Sequence, residues 1–164
     1  MAEQHLYKAM IAWRRDAGDF SKGRFSRAHT WRFDGGIEVP ASASPAVVPL
    51  PLSVEAAVDP EEAFVASLSS CHMLTFVDLA RRAGFTVDSY DDTAEGIMAR
   101  LEAGRWWISQ VTLRPRIVFS GDKRPDEIDL ADLHHKAHDA CFISNSVKTE
   151  VEIAPLDAEF SNGT

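Results

Sequence analysis

Residues 59–83 constrain this chain more than any other segment. Asp59-Pro60-Glu61-Glu62 is a strong helix start: Asp can cap, Pro suits the first turn, and two acids favour the positive end of the helix dipole. The apolar run AFVASLSSCHMLTFVDLA follows, and the helix is expected to reach Arg82 or Ala83 and stop at Gly84. Its apolar residues occupy most of the circumference, so it should be buried nearly all round. A sheet must wrap it, or a second subunit must cover it. It also holds Ser, His, Thr and Asp, which marks a core helix rather than a membrane span.

The remaining pattern is mostly strand. Residues 5–13 read as a first strand and 24–33 as a second, with Phe25, Arg27, His29, Trp31 and Phe33 on one face. Asp34-Gly35-Gly36 turns the chain into a short third strand, and residues 40–58 form a long loop. After the helix, residues 85–99 and 106–119 pair as long strands around Glu102-Ala103-Gly104-Arg105, with Pro115 implying an edge or a bulge. A second helix is expected from about Leu130 to Ala140, and an alternating strand follows. The order β-β-β-α-β-β-α-β defines an α+β fold, with residues 1–160 as a single domain and 161–164 as a disordered tail.

A length of 164 residues suits one domain with a sizeable core. The net charge of −8 argues against a nucleic-acid partner. The first ten residues lack the basic-then-apolar order of a secretory signal, so a cytoplasmic location is expected. Thiols there rest reduced, and a disulfide between them would be transient.

The only two cysteines, Cys71 and Cys141, are far apart in sequence and form no local metal-binding pair. Free cysteine is often simply a buried small hydrophobe, but acids, arginines and histidines flank both positions. His134, His138 and Cys141 follow one another at i, i+4 and i+7, a single helical stripe. Such a stripe can offer three ligands to a metal, although a core-capping or solvated histidine stripe has the same spacing. Arg27 sits on an otherwise aromatic strand face, either snorkelling outward or supplying a permanent cation to a thiolate. Glu61 could orient that arginine through a bidentate pair, or merely serve the helix N-terminus. Glu61 and Cys71 are separated by roughly 15 Å along one helix, so a shared site calls for a symmetry-related helix and a dimer.

Asp59-Pro60-Glu61-Glu62, the segment ending at Cys71, and Ala137-His138-x-x-Cys141-x-x-Ser144 together resemble the OsmC/Ohr family of thiol-dependent organic hydroperoxide reductases. The resemblance spans essentially the whole chain. It implies an intertwined homodimer with sites at the subunit interface. It also implies that Cys71 is the peroxidatic thiol, Cys141 the resolving thiol, and Glu61 the residue that orients a catalytic arginine. Family members carry that arginine in a glycine-rich loop after the first strand, a pattern this chain does not match cleanly. Arg27 is chosen for its strand face, with Arg24 as the competitor. On this reading the substrate is an organic hydroperoxide and the reductant an external thiol or dithiol. No metal or organic cofactor, nucleic acid or membrane takes part. The rivals are a dimeric small-ligand-binding module of the same fold, and a metal-binding protein built on His134, His138 and Cys141.

Overall fold

The computed structural model describes residues 4–102 and 104–161, which fall into two compact units, one through Ala63 and one from Phe64 onward. Ser161 apart, the tail expected at 161–164 lies outside the described residues, as does Ala103 of the expected turn.

The first unit carries an antiparallel meander of β1 (Ala9–Ala12), β2 (His29–Phe33) and β3 (Glu38–Ala41), with Ala9 opposite Phe33 and His29 opposite Ala41. The expected glycine turn joins β2 to β3. Gly36 takes φ 87° and its N–H reaches the Phe33 carbonyl at 3.0 Å, a backbone state that side chains resist.

The second strand is shorter than its alternation implies, because residues 13–28 make local structure instead. Asp19 caps a helical turn at Phe20–Lys22, and the Asp16 carboxylate accepts the N–H groups of Gly18 and Ser26. Phe25 packs at 4.7 Å on Phe20 and at 5.6 Å on Trp13. Arg27 therefore lies before β2 and not within it. Its N–H goes to the Leu52 carbonyl rather than to a ladder partner, so the strand face expected to aim Arg27 does not form.

α1 (Pro60–Arg82) begins as its sequence dictates. The Asp59 carboxylate accepts the Glu62 N–H at 2.7 Å, and the Glu62 carboxylate accepts the Asp59 N–H at 3.2 Å, a reciprocal cap. Gly84, with φ 83°, ends it.

In the second unit the expected long strand pair divides in two. β4 (Thr86–Asp92) pairs with β7 (Pro115–Ser120), and β5 (Glu95–Arg100) pairs with β6 (Trp106–Leu113). Proline causes the break: Pro115 has no N–H and opens β7, while the Arg114 N–H is taken by the Asp92 carboxylate at 2.7 Å. α2 (Glu127–Ala140) starts earlier than expected, because Asp126 and Asp129 form a second reciprocal cap. β8 (Glu150–Ile153) joins β6 in parallel, and β9 (Glu159–Phe160) joins β7. The observed order is thus three strands, α1, four strands, α2 and two strands.

Leu68, His72, Phe76 and Ala80 form the buried stripe of α1, at a strict four-residue spacing. Phe76 and Ala80 pack with Phe85, Ile117, Phe119, Leu133 and Ala137, while Leu68 packs with Val111 and Leu113. The helix is not buried all round within one chain: Leu74 is 64% exposed and Val77 37%. By length and composition alone α1 could cross a membrane, yet its stripe is core packing.

Gly96 on β5 lies close against α1. A Cβ there would stand 2.6 Å from Cγ2 of Val65. We expect Gly96→Ala to cost about 1–3 kcal/mol of stability by overpacking. Urea denaturation would check this, and adding Val65→Ala should recover part of the loss.

Candidate active site at the α1–α2 contact

Cys71 lies midway along α1, half-buried, and Cys141 caps the C-terminus of α2, fully buried. Both are free thiols, and Cys71 lies close enough to Cys141 to bear on its ionisation. The chain turns sharply after α2. The Cys141 N–H bonds back to the His138 carbonyl at 3.2 Å, and the Ser144 N–H points at Cys141 Sγ at 3.4 Å. Burial, and after it the neighbouring Cys71 thiol, pushes the Cys141 thiol up to about 11. The backbone N–H groups of Ser144 and Ile143 oppose this, because they favour the thiolate.

One residue along α1 from Cys71, His72 meets His134 of α2. Nε2 of His72 is 3.1 Å from Nδ1 of His134, and the rings are nearly parallel, at 7° with centroids 5.4 Å apart. The two residues are only 1% and 6% exposed, and Phe76 packs on His134 at 4.5 Å. Burial comes first in holding both imidazoles down to about 4. The charge of His138 adds to this for His72, with Asp92 opposing, and the charge of His72 adds to it for His134. Geometry disfavours charging both rings, because N–H would then face N–H across the 3.1 Å contact.

β4 closes this region. Asp92 accepts from Ser69 Oγ at 2.5 Å, tying the strand to α1. Burial, then the Asp92 charge, raises the Tyr90 hydroxyl above its ordinary range. An open groove of about 910 Å³ runs outside α2, with His134, His135 and His138 on one side and Leu130, Ile153 and Phe160 among its apolar walls.

The structure thus brings Cys71 and Cys141 together. The stripe of His134, His138 and Cys141 is real, but its members have separate partners: His134 has His72, Cys141 has Cys71, and His138 Nδ1 is 3.5 Å from Ser144 Oγ. Among the described residues, no group of three or more His, Cys, Asp or Glu side chains is arranged to hold a metal. Arg27 and Glu61 belong to the first unit. The Arg27 guanidinium donates to the Gly23 carbonyl at 2.9 Å and to the Phe25 carbonyl, and lies 3.8 Å over the Phe25 ring. Among the described residues no ion pair joins it to Glu61, which is half-buried in the first turn of α1. The competitor Arg24 pairs its backbone with Asp19.

His72 is the site residue that sequence reasoning passed over. Its signal was the four-residue stripe it shares with Leu68, Phe76 and Ala80, which placed an imidazole on the most buried line of α1.

An α+β chain with two free thiols at a helix–helix contact is the class these features define. The OsmC-like protein family model matches residues 53–155, and this chain belongs to that family. Among solved structures, an OsmC-like protein of unknown function from Vibrio cholerae is 50% identical over 93% of this chain and 100% of its own, with a TM-score of 0.91. An organic hydroperoxide resistance protein from Elizabethkingia anophelis shares the fold at 19% identity and a TM-score of 0.63, covering 99% of this chain and 100% of that one. The organic hydroperoxide resistance protein OhrB of Bacillus subtilis does so at 16% and 0.57, covering 96% and 100%. No curated protein matches the chain.

The histidine pair makes stability depend on pH in a definite direction. Each imidazole binds a proton near pH 6.5 when unfolded and only near 4 when folded, so the unfolded state takes up more protons in that window. Stability is fully present above about pH 6.5 and is lost as pH falls toward 4, at up to about 1.4 kcal/mol per pH unit for each histidine. Urea midpoints between pH 7.5 and 4.5 should fall more steeply in wild type than in His72→Gln. Parallel profiles would contradict the assignment.

Proposed function

We propose that this protein is a thiol-dependent peroxidase that reduces organic hydroperoxides to alcohols. The observation that carries the reading is the meeting of the chain's only two cysteines, both free, at the α1–α2 contact. Membership of a family that includes organic hydroperoxide resistance proteins supports it.

The Cys71 thiolate attacks the terminal peroxide oxygen. The O–O bond breaks, the alkoxide takes a proton and leaves as the alcohol, and Cys71 becomes a sulfenic acid. Cys141 sulfur then attacks Cys71 sulfur. The S–O bond breaks, and the departing hydroxide takes the Cys141 proton as water, leaving a Cys71–Cys141 disulfide. An external thiol or dithiol reduces that bond. The half-buried position of Cys71 suits the thiol that meets substrate, and the buried position of Cys141 suits the one that follows.

The working form on this reading is a homodimer in the cytoplasm. The exposed apolar side chains of α1, Leu74 and Val77, supply a surface for the second copy. On this reading Arg27, or Arg24 as its competitor, is the cation that favours the Cys71 thiolate with Glu61 as its orienter, which requires the Arg27 guanidinium to leave the Gly23 and Phe25 carbonyls that now hold it. The binding-module alternative would instead use the groove beside α2. Hydroperoxide consumption separates the two.

Cys71→Ser should abolish turnover. Cys141→Ser should react once per chain, then hold a sulfenic acid that dimedone traps. The reverse pattern would exchange the two roles, and no consumption by wild type would end the peroxidase reading. Light scattering across micromolar concentrations should give about twice the 18.1 kDa chain mass.

Arg27→Ala should slow Cys71 alkylation by iodoacetamide and hydroperoxide reduction by about tenfold or more, and Arg27→Lys should restore part of the rate. A loss confined to Arg24→Ala would move the role to that residue.

A further inference from the structure

The His72–His134 contact has no role in the chemistry above, and stability does not account for it. Two buried imidazoles are tied by one hydrogen bond, and the buried Nδ1 of His72 has no partner among the described residues. A half-satisfied polar pair is a poorer core than an apolar pair of similar volume. What distinguishes it is place. His72 follows Cys71 on α1, while His134 and Cys141 share one stripe of α2. The two helices thus face each other through an imidazole pair and, beside it, a thiol pair.

We propose that His72 and His134 are positioning residues for the thiol pair: their hydrogen bond fixes the register of α1 against α2 in which Cys71 and Cys141 close a disulfide. The inference deepens the peroxidase reading, in which closing that bond is the resolving step. The need for such a device follows from geometry. A disulfide requires sulfurs about 2.05 Å apart and a torsion near 90°, so a small slide of one helix past the other is enough to disfavour it. Apolar contacts such as Phe76 on His134 are non-directional and tolerate slippage, whereas a hydrogen bond between two ring nitrogens does not. The accepting ring must be neutral for it, and burial favours that state.

The test reads the disulfide directly and needs no peroxide. The purified full chain is equilibrated in mixtures of reduced and oxidised dithiothreitol. The Cys71–Cys141 bond forms, the two thiol protons pass to dithiothreitol, and its own S–S bond breaks, so the electrons balance. His72→Leu and His134→Leu should each lower the equilibrium constant about tenfold, near 30 mV for this two-electron couple. The double Leu variant should lose no more than either single, because one shared bond is removed. His72→Gln with His134→Asn places amide groups where Nε2 and Nδ1 stood, and should restore most of the constant. It also serves as the folded comparison should the Leu variants fail to fold. Urea denaturation of each reduced variant separates positioning from general stability.

An unchanged constant in a folded Leu variant would overturn the proposal, as would a Gln/Asn pair that is folded yet impaired. Hydroperoxide consumption by wild type is measured separately. Its absence would remove the peroxidase reading while the dithiothreitol equilibrium still judges the histidines.

Discussion

The contact between α1 and α2 is the constraint on which the site depends. α1 presents His72, Phe76 and Ala80 to it, and α2 presents Leu133, His134 and Ala137, with Cys141 at its end. Most of this surface is apolar and would accept several registers. The hydrogen bond between His72 and His134 is directional and sits beside Cys71. Two residues far apart in sequence therefore meet through helix packing, not through loops, and helices hold reactive groups more firmly.

The environment of Cys141 shows how the same contact sets chemical roles. Burial and the neighbouring thiol make its proton hard to remove, while two N–H groups in the turn after α2 are aimed at the sulfur. These opposing influences describe a thiol that is quiet while Cys71 is reduced.

Where a residue's setting was local, the sequence was readable. The cap Asp59–Glu62, the stop at Gly84 and the turn at Gly36 each depend on groups within a few residues, and each stands as the sequence implied. Pro115 was recognised as an interruption, although it splits the strand pair rather than bulging it. Arg27 was misplaced because alternation from 24 to 33 matches a strand, while Asp16, Asp19 and three aromatic rings compete for the same backbone. Periodicity cannot weigh such competition. The histidine stripe on α2 was visible by spacing, but its meaning lay on α1, and no spacing rule links position 134 to position 72.

The exposed side of α1 bears on the same chemistry. Leu74 and Val77 lie off the buried stripe, three residues apart on one face of the helix. Fully burying an exposed Leu or Val side chain contributes roughly 1.5–3 kcal/mol, and these partly exposed ones would gain a share of that, so covering this face is favourable, and a second copy would cover two such faces at once. Cys71 lies one helical turn before Leu74, so whatever covers the apolar face also comes close to the thiol. In the proposed dimer a single association event would bury the helix and complete the surroundings of Cys71. Assembly and activation of the thiol would then be one process, and a monomer would be incomplete in both respects.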